Sequence, residues 1–196
     1  MPGQYREIDQ AAIEEAVRQI LVALGEDTTR EGLLHTPRRV ARMYAELFGG
    51  LTEDPGAHLE VGFQEPYDEM VILRDIPFYS LCEHHLLPFM GKAHVAYVPR
   101  GRIVGVSKIA RVVDIYARRP QLQERLTCQI ADLIMDKLDA KGAAVVMEAT
   151  HTCLTIRGAK KPGAIMVTSA IRGTFKAKLA TRTEAINLLM GGRERV

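Results

Sequence analysis

The chain has 196 residues, enough for one domain of ordinary size with a substantial apolar core. Its 26 basic and 24 acidic side chains nearly cancel, so the net charge gives no reason to expect a nucleic acid or an acidic membrane as a partner. Three widely spaced cysteines, a start without a basic and apolar leader, and apolar runs far shorter than the ~20 residues of a membrane span favour a cytoplasmic protein.

The first third of the chain predicts two amphipathic helices. Residues 8–24 repeat apolar side chains at helical spacing, with Asp9 as a candidate N-cap. A second helix is expected from Thr36, another candidate N-cap, with Pro37 at the first helical position. Residues 51–67 are rich in turn-forming residues and lose this periodicity. An N-terminal helical appendage and a connection are therefore expected before the main domain.

The rest of the chain alternates patterns that are typical of strands and of helices. Runs of β-branched and aromatic residues predict strands, and capping residues followed by apolar periodicity predict helices. The predicted order is strands over 70–80 and 92–106, helices over 107–119 and 120–142, strands over 143–158 and 164–175, and a helix over 181–191. This order predicts an α+β domain over residues 68–196, an antiparallel four-stranded sheet with helices on one face, after a helical segment over residues 1–67.

The stretch SLCEHHLLPF, residues 80–89, contains the first half of a candidate metal site. Cys82 and His85 are three residues apart, a spacing that lets both side chains bind one ion from a turn or a helix. A Cys-x-x-His pair by itself leaves structural coincidence open.

The stretch HTCLTIR, residues 151–157, supplies the second half. In a strand, pleating would turn His151, Cys153 and Arg157 to one face, with about 7 Å between His151 and Cys153. Cys153 is then a third ligand and His151 its neighbour. Two thiolates and one imidazole form a ligand set that favours zinc.

Three protein ligands leave one coordination position open, which is typical of a catalytic zinc that activates water. His84 and His151 would then be available for proton transfer. Two alternatives remain open: a closed structural site with His151 or His84 as the fourth ligand, and thiols that are simply buried. Cys128 lies in a predicted helix and far from any histidine in the sequence, so it fits the alternative of a simply buried thiol best.

A candidate anion site begins at Ser107, where a predicted helix starts. Lys108 and Arg111 lie three residues apart on one face, so backbone N–H groups, the helix dipole and two cations converge there. A solvated helix start is the alternative, but Arg157 adds a guanidinium near the predicted metal. A phosphorylated substrate beside the metal agrees with both the predicted metal site and the predicted anion site.

Four stretches closely resemble type I GTP cyclohydrolase, in order and over about residues 68–190: SLCEHHLLPF, VGVSKIARVVDIYARRPQLQERLT, HTCLTIRG and VTSAIRGTF. The resemblance implies an enzyme that converts GTP and water to 7,8-dihydroneopterin triphosphate and formate, the first step of tetrahydrofolate biosynthesis. It also implies zinc-hydroxide attack at C8 of the purine, protonation of N7, ring opening, an Amadori-type rearrangement and closure of the pterin ring.

The resemblance also assigns roles to individual residues. The implied zinc ligands are Cys82, His85 and Cys153. The implied catalytic residues are His84, His151 and Ser107, with His151 as the general acid. The implied substrate contacts are Gln123, Glu124, Lys108, Arg111 and Arg157, and Glu124 would anchor guanine. Spacing alone would place Gln123 and Glu124 on the surface of a helix that starts at Pro120.

The fold that the resemblance implies is the tunnelling fold, in which the sheets of several subunits join into a barrel. It implies a cytoplasmic homodecamer of two stacked pentamers with active sites at subunit interfaces, with GTP as substrate and neither nucleic acid nor membrane as a partner. The alternatives are another tunnelling-fold enzyme acting on pterins or deazapurines, and a zinc-stapled binding module without catalysis. GTP-dependent release of formate would distinguish the enzyme from the module.

Overall fold

The computed structural model describes residues 7–191. The chain forms two compact units, Met1–Glu53 and Asp54–Val196. Residues 54–67, which the sequence predicted as part of a connection, fall in the second unit. Between residues 7 and 191, no helix has the length and apolar character that crossing a membrane requires.

The first unit is helical. It contains α1 (Gln10–Ala23), α2 (Thr36–Leu47) and a 3₁₀ turn (Gly49–Thr52). The predicted cap of α1 is confirmed, because the Asp9 carboxylate accepts a hydrogen bond of 2.9 Å from the Ala12 N–H. The cap of α2 differs from the prediction: His35 is the N-cap, and the Thr36 hydroxyl donates to the Gly32 carbonyl at 3.3 Å. Thr36 therefore bonds to the preceding turn instead of capping the helix.

The second unit mixes strands and helices. Its strands are β1 (Gly62–Gln64), β2 (Val71–Cys82), β3 (Pro88–Val98), β4 (Arg102–Val104), β5 (Pro120–Gln121), β6 (Gly142–His151) and β7 (Met166–Gly173). Its helices are α3 (Ala57–Glu60), α4 (Val106–Ala117), α5 (Gln123–Leu138), α6 (Thr152–Thr155), α7 (Thr174–Ala177) and α8 (Leu179–Met190). The predicted α+β class is confirmed.

The main sheet has the strand order β5-β2-β3-β6-β7. The strands β2, β3, β6 and β7 are antiparallel neighbours, but β5 adds a short parallel edge to β2, so the sheet is larger than the four strands predicted. β5 lies where the sequence predicted the start of a helix. Pro120 has no N–H to donate and fits an edge strand, so α5 begins only at Gln123. The strands β1 and β4 form a separate antiparallel pair.

The middle helices, α4 and α5, pack against one face of the sheet. Alternation along the strands turns Val95, Val145 and Met147 toward these helices. Val112 of α4 and Ile130 of α5 are fully buried in the same cluster. Complete burial of a side chain of this size contributes roughly 1.5–3 kcal/mol, so this layer contributes strongly to the stability of the second unit.

Helices also lie on the opposite face, which corrects the expectation of helices on one face only. Ala96 and Val146 point away from α4 and α5. They belong to a second buried cluster with Phe175 of α7 and Leu189 of α8. The β6 sequence gives the reason, because residues 143–147 read AAVVM, and such a continuous apolar run suits a strand that is buried on both faces.

The direction of α4 distinguishes the two ends of the main sheet. At one end, here called the Cys82 end, β2 finishes, and the Ser80 hydroxyl donates to the carbonyl of Ala117, the last residue of α4, at 2.7 Å. At the other end, Val106 of α4 and Val71 of β2 line one small cavity. α4 therefore runs in the same direction as β2, and its N-terminus is far from Cys82.

Candidate metal centre and active site

A tight turn between β2 and β3 carries Cys82 and His85. The Cys82 N–H donates to the Leu87 carbonyl at 2.9 Å, and the Leu86 N–H donates to the Cys82 carbonyl at 2.8 Å. Leu86 closes the turn with a φ of +52°, in the left-handed region. The turn folds His85 back toward the end of the strand, so that its Nδ1 lies 3.9 Å from the Cys82 Sγ.

Cys153 lies in a helical turn and not on a strand. β6 ends at His151, and α6 follows directly. The prediction that pleating turns His151, Cys153 and Arg157 to one face is therefore wrong. The last backbone pair between β3 and β6 joins Phe89 to His151, and the chain beyond this pair closes its backbone hydrogen bonds locally in a helical turn.

Cys82, His85 and Cys153 nevertheless converge. Their ligand atoms all lie within 4.8 Å of one another. Ligands at roughly 2.0–2.3 Å from a tetrahedral zinc would be about 3.5–3.8 Å apart, so small side-chain adjustments would close the group around an ion. Two thiols and one imidazole are ligands that suit zinc. The three residues are therefore compatible with a bound metal ion.

The surroundings of the two thiols disfavour ionisation of both unless a cation is bound. Burial raises the pKa of the Cys153 thiol above its ordinary value, and the neighbouring Cys82 raises it further. Arg157 lowers the same pKa. A divalent cation would supply the positive charge that two adjacent thiolates need. Cys82 is buried and His85 is exposed, so the group meets solvent on its histidine side.

The imidazole of His151 is held by two contacts. It stacks on the ring of Phe89, and its Nε2 lies 2.8 Å from the side-chain oxygen of Gln123. Burial lowers the pKa of His151, and the carboxylate of Glu124 opposes this effect. Glu124 is therefore close enough to act on His151 electrostatically. The group of converging ligand atoms does not include His151.

An ion pair between Glu83 and Arg125 joins the turn after β2 to α5, and sequence reasoning missed it. The Arg125 Nη2 lies 3.0 Å from one Glu83 oxygen, and its Nη1 contacts the other, so the pair is bidentate. The Glu83 N–H also donates to the Gln121 carbonyl at 3.0 Å. The two charged residues are 42 positions apart, so no spacing pattern in the sequence indicates their contact. Together these bonds fix the turn relative to the first turn of α5.

The other predicted residues of this end are exposed. The ring of His84 lies edge-on to that of His85, with 6.2 Å between centroids. Glu124 lies in the first turn of α5, and Arg157 follows α6. The Cys82 end thus brings together these predicted residues: Cys82, His84, His85, Gln123, Glu124, His151, Cys153 and Arg157.

Ser107, Lys108 and Arg111 lie elsewhere. Gly105 is the N-cap of α4, so Ser107 lies inside the first turn instead of opening the helix. At 1.5 Å of rise per residue, Ser107 is roughly 15 Å along the helix axis from Ala117, the residue that contacts the Cys82 end. The predicted anion site is therefore separated from the metal-ligand group of the same chain by roughly the length of α4.

Comparison with known proteins gives one consistent family. The family profile described as GTP cyclohydrolase I matches residues 13–190. GTP cyclohydrolase 1 from Rhodopirellula baltica is 60% identical over 185 residues, which cover 94% of this chain and 81% of that protein. GTP cyclohydrolase 1 from Carboxydothermus hydrogenoformans is 61% identical over 183 residues, 93% of this chain and 95% of that protein. GTP cyclohydrolase 1 from Pelotomaculum thermopropionicum is 62% identical over 184 residues, 93% and 98% of the respective chains.

Proposed function

The chain belongs to the GTP cyclohydrolase I family, and on this premise we propose that its Cys82 end is the reaction centre of an enzyme that acts on GTP. The enzyme converts GTP and water to 7,8-dihydroneopterin triphosphate and formate, the first step of tetrahydrofolate biosynthesis. The observation that carries the proposal is the convergence of Cys82, His85 and Cys153 in a chain of this family.

The proposed metal is zinc, held by Cys82, His85 and Cys153. The two thiols and the imidazole fit this ion by ligand type and by the spacing of their donor atoms. A bound zinc would supply Lewis acidity, which makes water a competent nucleophile near neutral pH. The exposed position of His85 leaves a path for substrate and water to this side of the group.

The proton transfers are assigned to two histidines and one serine. His151 is the proposed general acid, which protonates N7 of the purine as water adds to C8 and the imidazole ring opens. Its ring is already held in place by Phe89 and Gln123. His84 and Ser107 are the proposed groups for the later proton transfers of the Amadori-type rearrangement and the ring closure.

The proposed substrate contacts are assigned from the charges of the side chains. Glu124 is exposed in the first turn of α5, where its carboxylate can accept two N–H groups from the edge of guanine. Adenine lacks this pair of donors, so the contact would select GTP over ATP. Arg157, Lys108 and Arg111 are the proposed partners of the triphosphate, because guanidinium and ammonium groups bind phosphate oxygens.

The complete site is proposed to form between subunits. Ser107, Lys108 and Arg111 are separated from the metal-ligand group of their own chain, so they are proposed to meet the Cys82 end of a neighbouring copy. This arrangement accords with the tunnelling fold and with a homodecamer of two stacked pentamers. The cytoplasm is the proposed location.

Incubation of the zinc-loaded protein with GTP tests this function. After the product is oxidised with added iodine, formate and a fluorescent pterin should be found in equal amounts, and ATP should give neither product. A chelator should abolish both products, and added zinc should restore them. Zinc binding without either product would instead support a zinc-stapled binding module.

A further inference from the structure

Gln123 is enclosed at the Cys82 end, with only 1% of its surface exposed. Its side-chain nitrogen lies 3.1 Å from each of three acceptors, the carbonyls of Met147 and Met166 and the hydroxyl of Thr168. Its side-chain oxygen lies 2.8 Å from the Nε2 of His151. A side chain surrounded in this way offers no surface to a ligand.

The three acceptors fix which way the Gln123 amide points. Turning the amide over would place its oxygen against two carbonyl oxygens, an unfavourable contact because none of these atoms can donate a hydrogen bond. The Thr127 hydroxyl closes the network, because it donates to the Gln123 backbone carbonyl and lies 2.6 Å from the Thr168 hydroxyl. The side-chain oxygen of Gln123 therefore faces His151.

This orientation decides which nitrogen of His151 carries the proton. An amide oxygen only accepts hydrogen bonds, so the nitrogen that faces it, Nε2, must be the donor. The lone pair of the neutral imidazole is then on Nδ1, and Nδ1 is the atom that exchanges a proton with a bound molecule. Stacking on Phe89, with 5° between the ring planes, fixes the plane of the imidazole.

We propose that Gln123 is a positioning residue, which sets the tautomer and orientation of His151 so that Nδ1 serves the proton transfer. The inference rests on the proposed role of His151 as general acid. It replaces the expected contact between Gln123 and the substrate, since the amide of Gln123 is fully engaged with protein groups. A hydrogen bond to the far nitrogen of a functional histidine commonly has this effect.

The first test reads the tautomer directly in the zinc-loaded, unsubstituted protein. Ring ¹⁵N chemical shifts of histidine-labelled protein at alkaline pH distinguish a proton on Nε2 from a proton on Nδ1. The resonances that disappear in His151→Asn identify His151 among the six histidines. The proposal requires the proton on Nε2, and a proton on Nδ1 would overturn it.

The second test asks whether Gln123 acts through His151. Gln123→Met keeps the length of the side chain and removes its oxygen and nitrogen, so turnover should fall about 10- to 100-fold with little change in KM for GTP. In a His151→Ala background the same substitution should cause no further loss. Gln19→Met is the matched control, because it makes the same chemical change at an exposed residue of α1, and it should keep its turnover.

Each other result has a defined meaning. A raised KM in Gln123→Met, with losses that add in the double variant, would show that Gln123 binds substrate and would overturn the proposal. If Gln123→Met loses zinc or fails to assemble, the tautomer measured in the unsubstituted protein decides the question. Full turnover in His151→Ala alone would refute the role of His151, and the role of Gln123 with it, before any change is made at Gln123.

Discussion

The imidazole of His151 lies parallel to the ring of Phe89, with 4.5 Å between ring centroids and 5° between ring planes. The two residues are directly opposite each other on β6 and β3, so their side chains leave the same face of the sheet. The stack covers one face of the imidazole, and burial lowers the pKa of His151. His151 is thereby held beside the metal-ligand group without belonging to it.

His151→Ala should stop the chemistry without removing the metal. Because His151 is outside the group of ligand atoms, zinc content should stay at the level of the unsubstituted protein. General acid catalysis typically contributes about 10²- to 10⁴-fold, so turnover at saturating GTP should fall by a factor in this range, with a modest change in apparent affinity. Zinc content, GTP binding and turnover are to be measured on one preparation.

The control for this variant is His35→Ala, which removes an exposed histidine of the first unit and should change none of the three quantities. Loss of zinc from His151→Ala would contradict the prediction. It would mean that His151 is the fourth ligand of a closed structural site, and thermal stability would then fall together with the metal.

Cys153→Ser should lose zinc and activity together, because a serine hydroxyl is a far weaker zinc ligand than a thiolate. Cys128→Ser makes the same chemical change at a half-buried cysteine of α5 outside the ligand group, and it should keep both properties. Elemental analysis of the purified variants gives the zinc content per chain. A full complement of zinc in Cys153→Ser would reject the ligand assignment.

Glu124→Gln should weaken recognition of guanine. The amide offers one acceptor where the carboxylate offers two, so one N–H of guanine is left poorly paired, at a cost of about 1–3 kcal/mol in transition-state binding. We expect kcat/KM for GTP to fall at least about tenfold. Asp136→Asn, which removes an exposed carboxylate near the other end of α5, is the control and should leave kcat/KM unchanged. The same kcat/KM in both variants would make Glu124 an ordinary surface residue.

Two impaired variants should restore activity when they share one oligomer. Lys108→Ala alters the start of α4, and His151→Ala alters the Cys82 end, which lies roughly the length of α4 away in the same chain. If each site combines these regions from different chains, random mixing of equal amounts leaves roughly a quarter of the sites intact. The activity of the co-assembled protein should therefore exceed that of either variant alone.

The control mixture combines His151→Ala with Cys153→Ser. Both substitutions affect the Cys82 end, so every Cys82 end in the mixed oligomer carries one of the two defects and no activity should return. Equal activity in the two mixtures would contradict an active site that is shared between chains.

His94 should make the folded protein less stable in mild acid. It is buried on β3, where its Nδ1 accepts a hydrogen bond of 3.2 Å from the Asp75 N–H. Burial lowers the pKa of the His94 imidazole. The carboxylates of Asp75 and Glu148 raise this pKa, and the cations of Arg74 and Lys92 lower it. Protonation would turn Nδ1 into a donor that faces a backbone N–H. Below about pH 6.5 the His94 imidazole of the unfolded chain binds a proton, whereas that of the folded chain stays neutral because its pKa is lower. The free energy of unfolding therefore decreases as the pH falls from about 6.5 toward the pKa of folded His94.

Melting temperatures at about pH 7.5 and about pH 5.5, with zinc in excess, measure this effect. His94→Gln keeps an acceptor for the Asp75 N–H and does not titrate, so its melting temperature should drop less on acidification than that of the unsubstituted protein. His35→Gln, at an exposed position, should leave the drop unchanged. Equal drops in His94→Gln and in the unsubstituted protein would rule out His94 as the cause.

Features that depend on neighbours in the sequence could be predicted without the structure. The pairing of Cys82 with His85 needs only a turn of four residues, and the cap of α1 by Asp9 needs only the first turn of a helix. The family follows from the same local stretches, and the family profile over residues 13–190 confirms it. In each case, the residue types and their spacing are sufficient because the geometry is set within one turn of backbone.

The position of Cys153 shows where such reasoning stops. The alternating residues after His151 predicted a continued strand. A strand continues only as far as the neighbouring strand pairs with it, and the pairing of β6 with β3 ends at Phe89. A helical turn then brings Cys153 to the ligand group by a different route from the one predicted.

The contacts that organise the rest of the site join residues that are distant in sequence. Glu83 meets Arg125, and Gln123 meets His151, only because β2, α5 and β6 finish or begin at the same end of one sheet. The direction of α4 likewise separates Ser107 from the metal-ligand group of its own chain. The sequence alone determined which chemical groups are present and which short turns present them. The tertiary structure decided which groups meet, because the order, direction and length of the strands are settled by packing across the whole sheet.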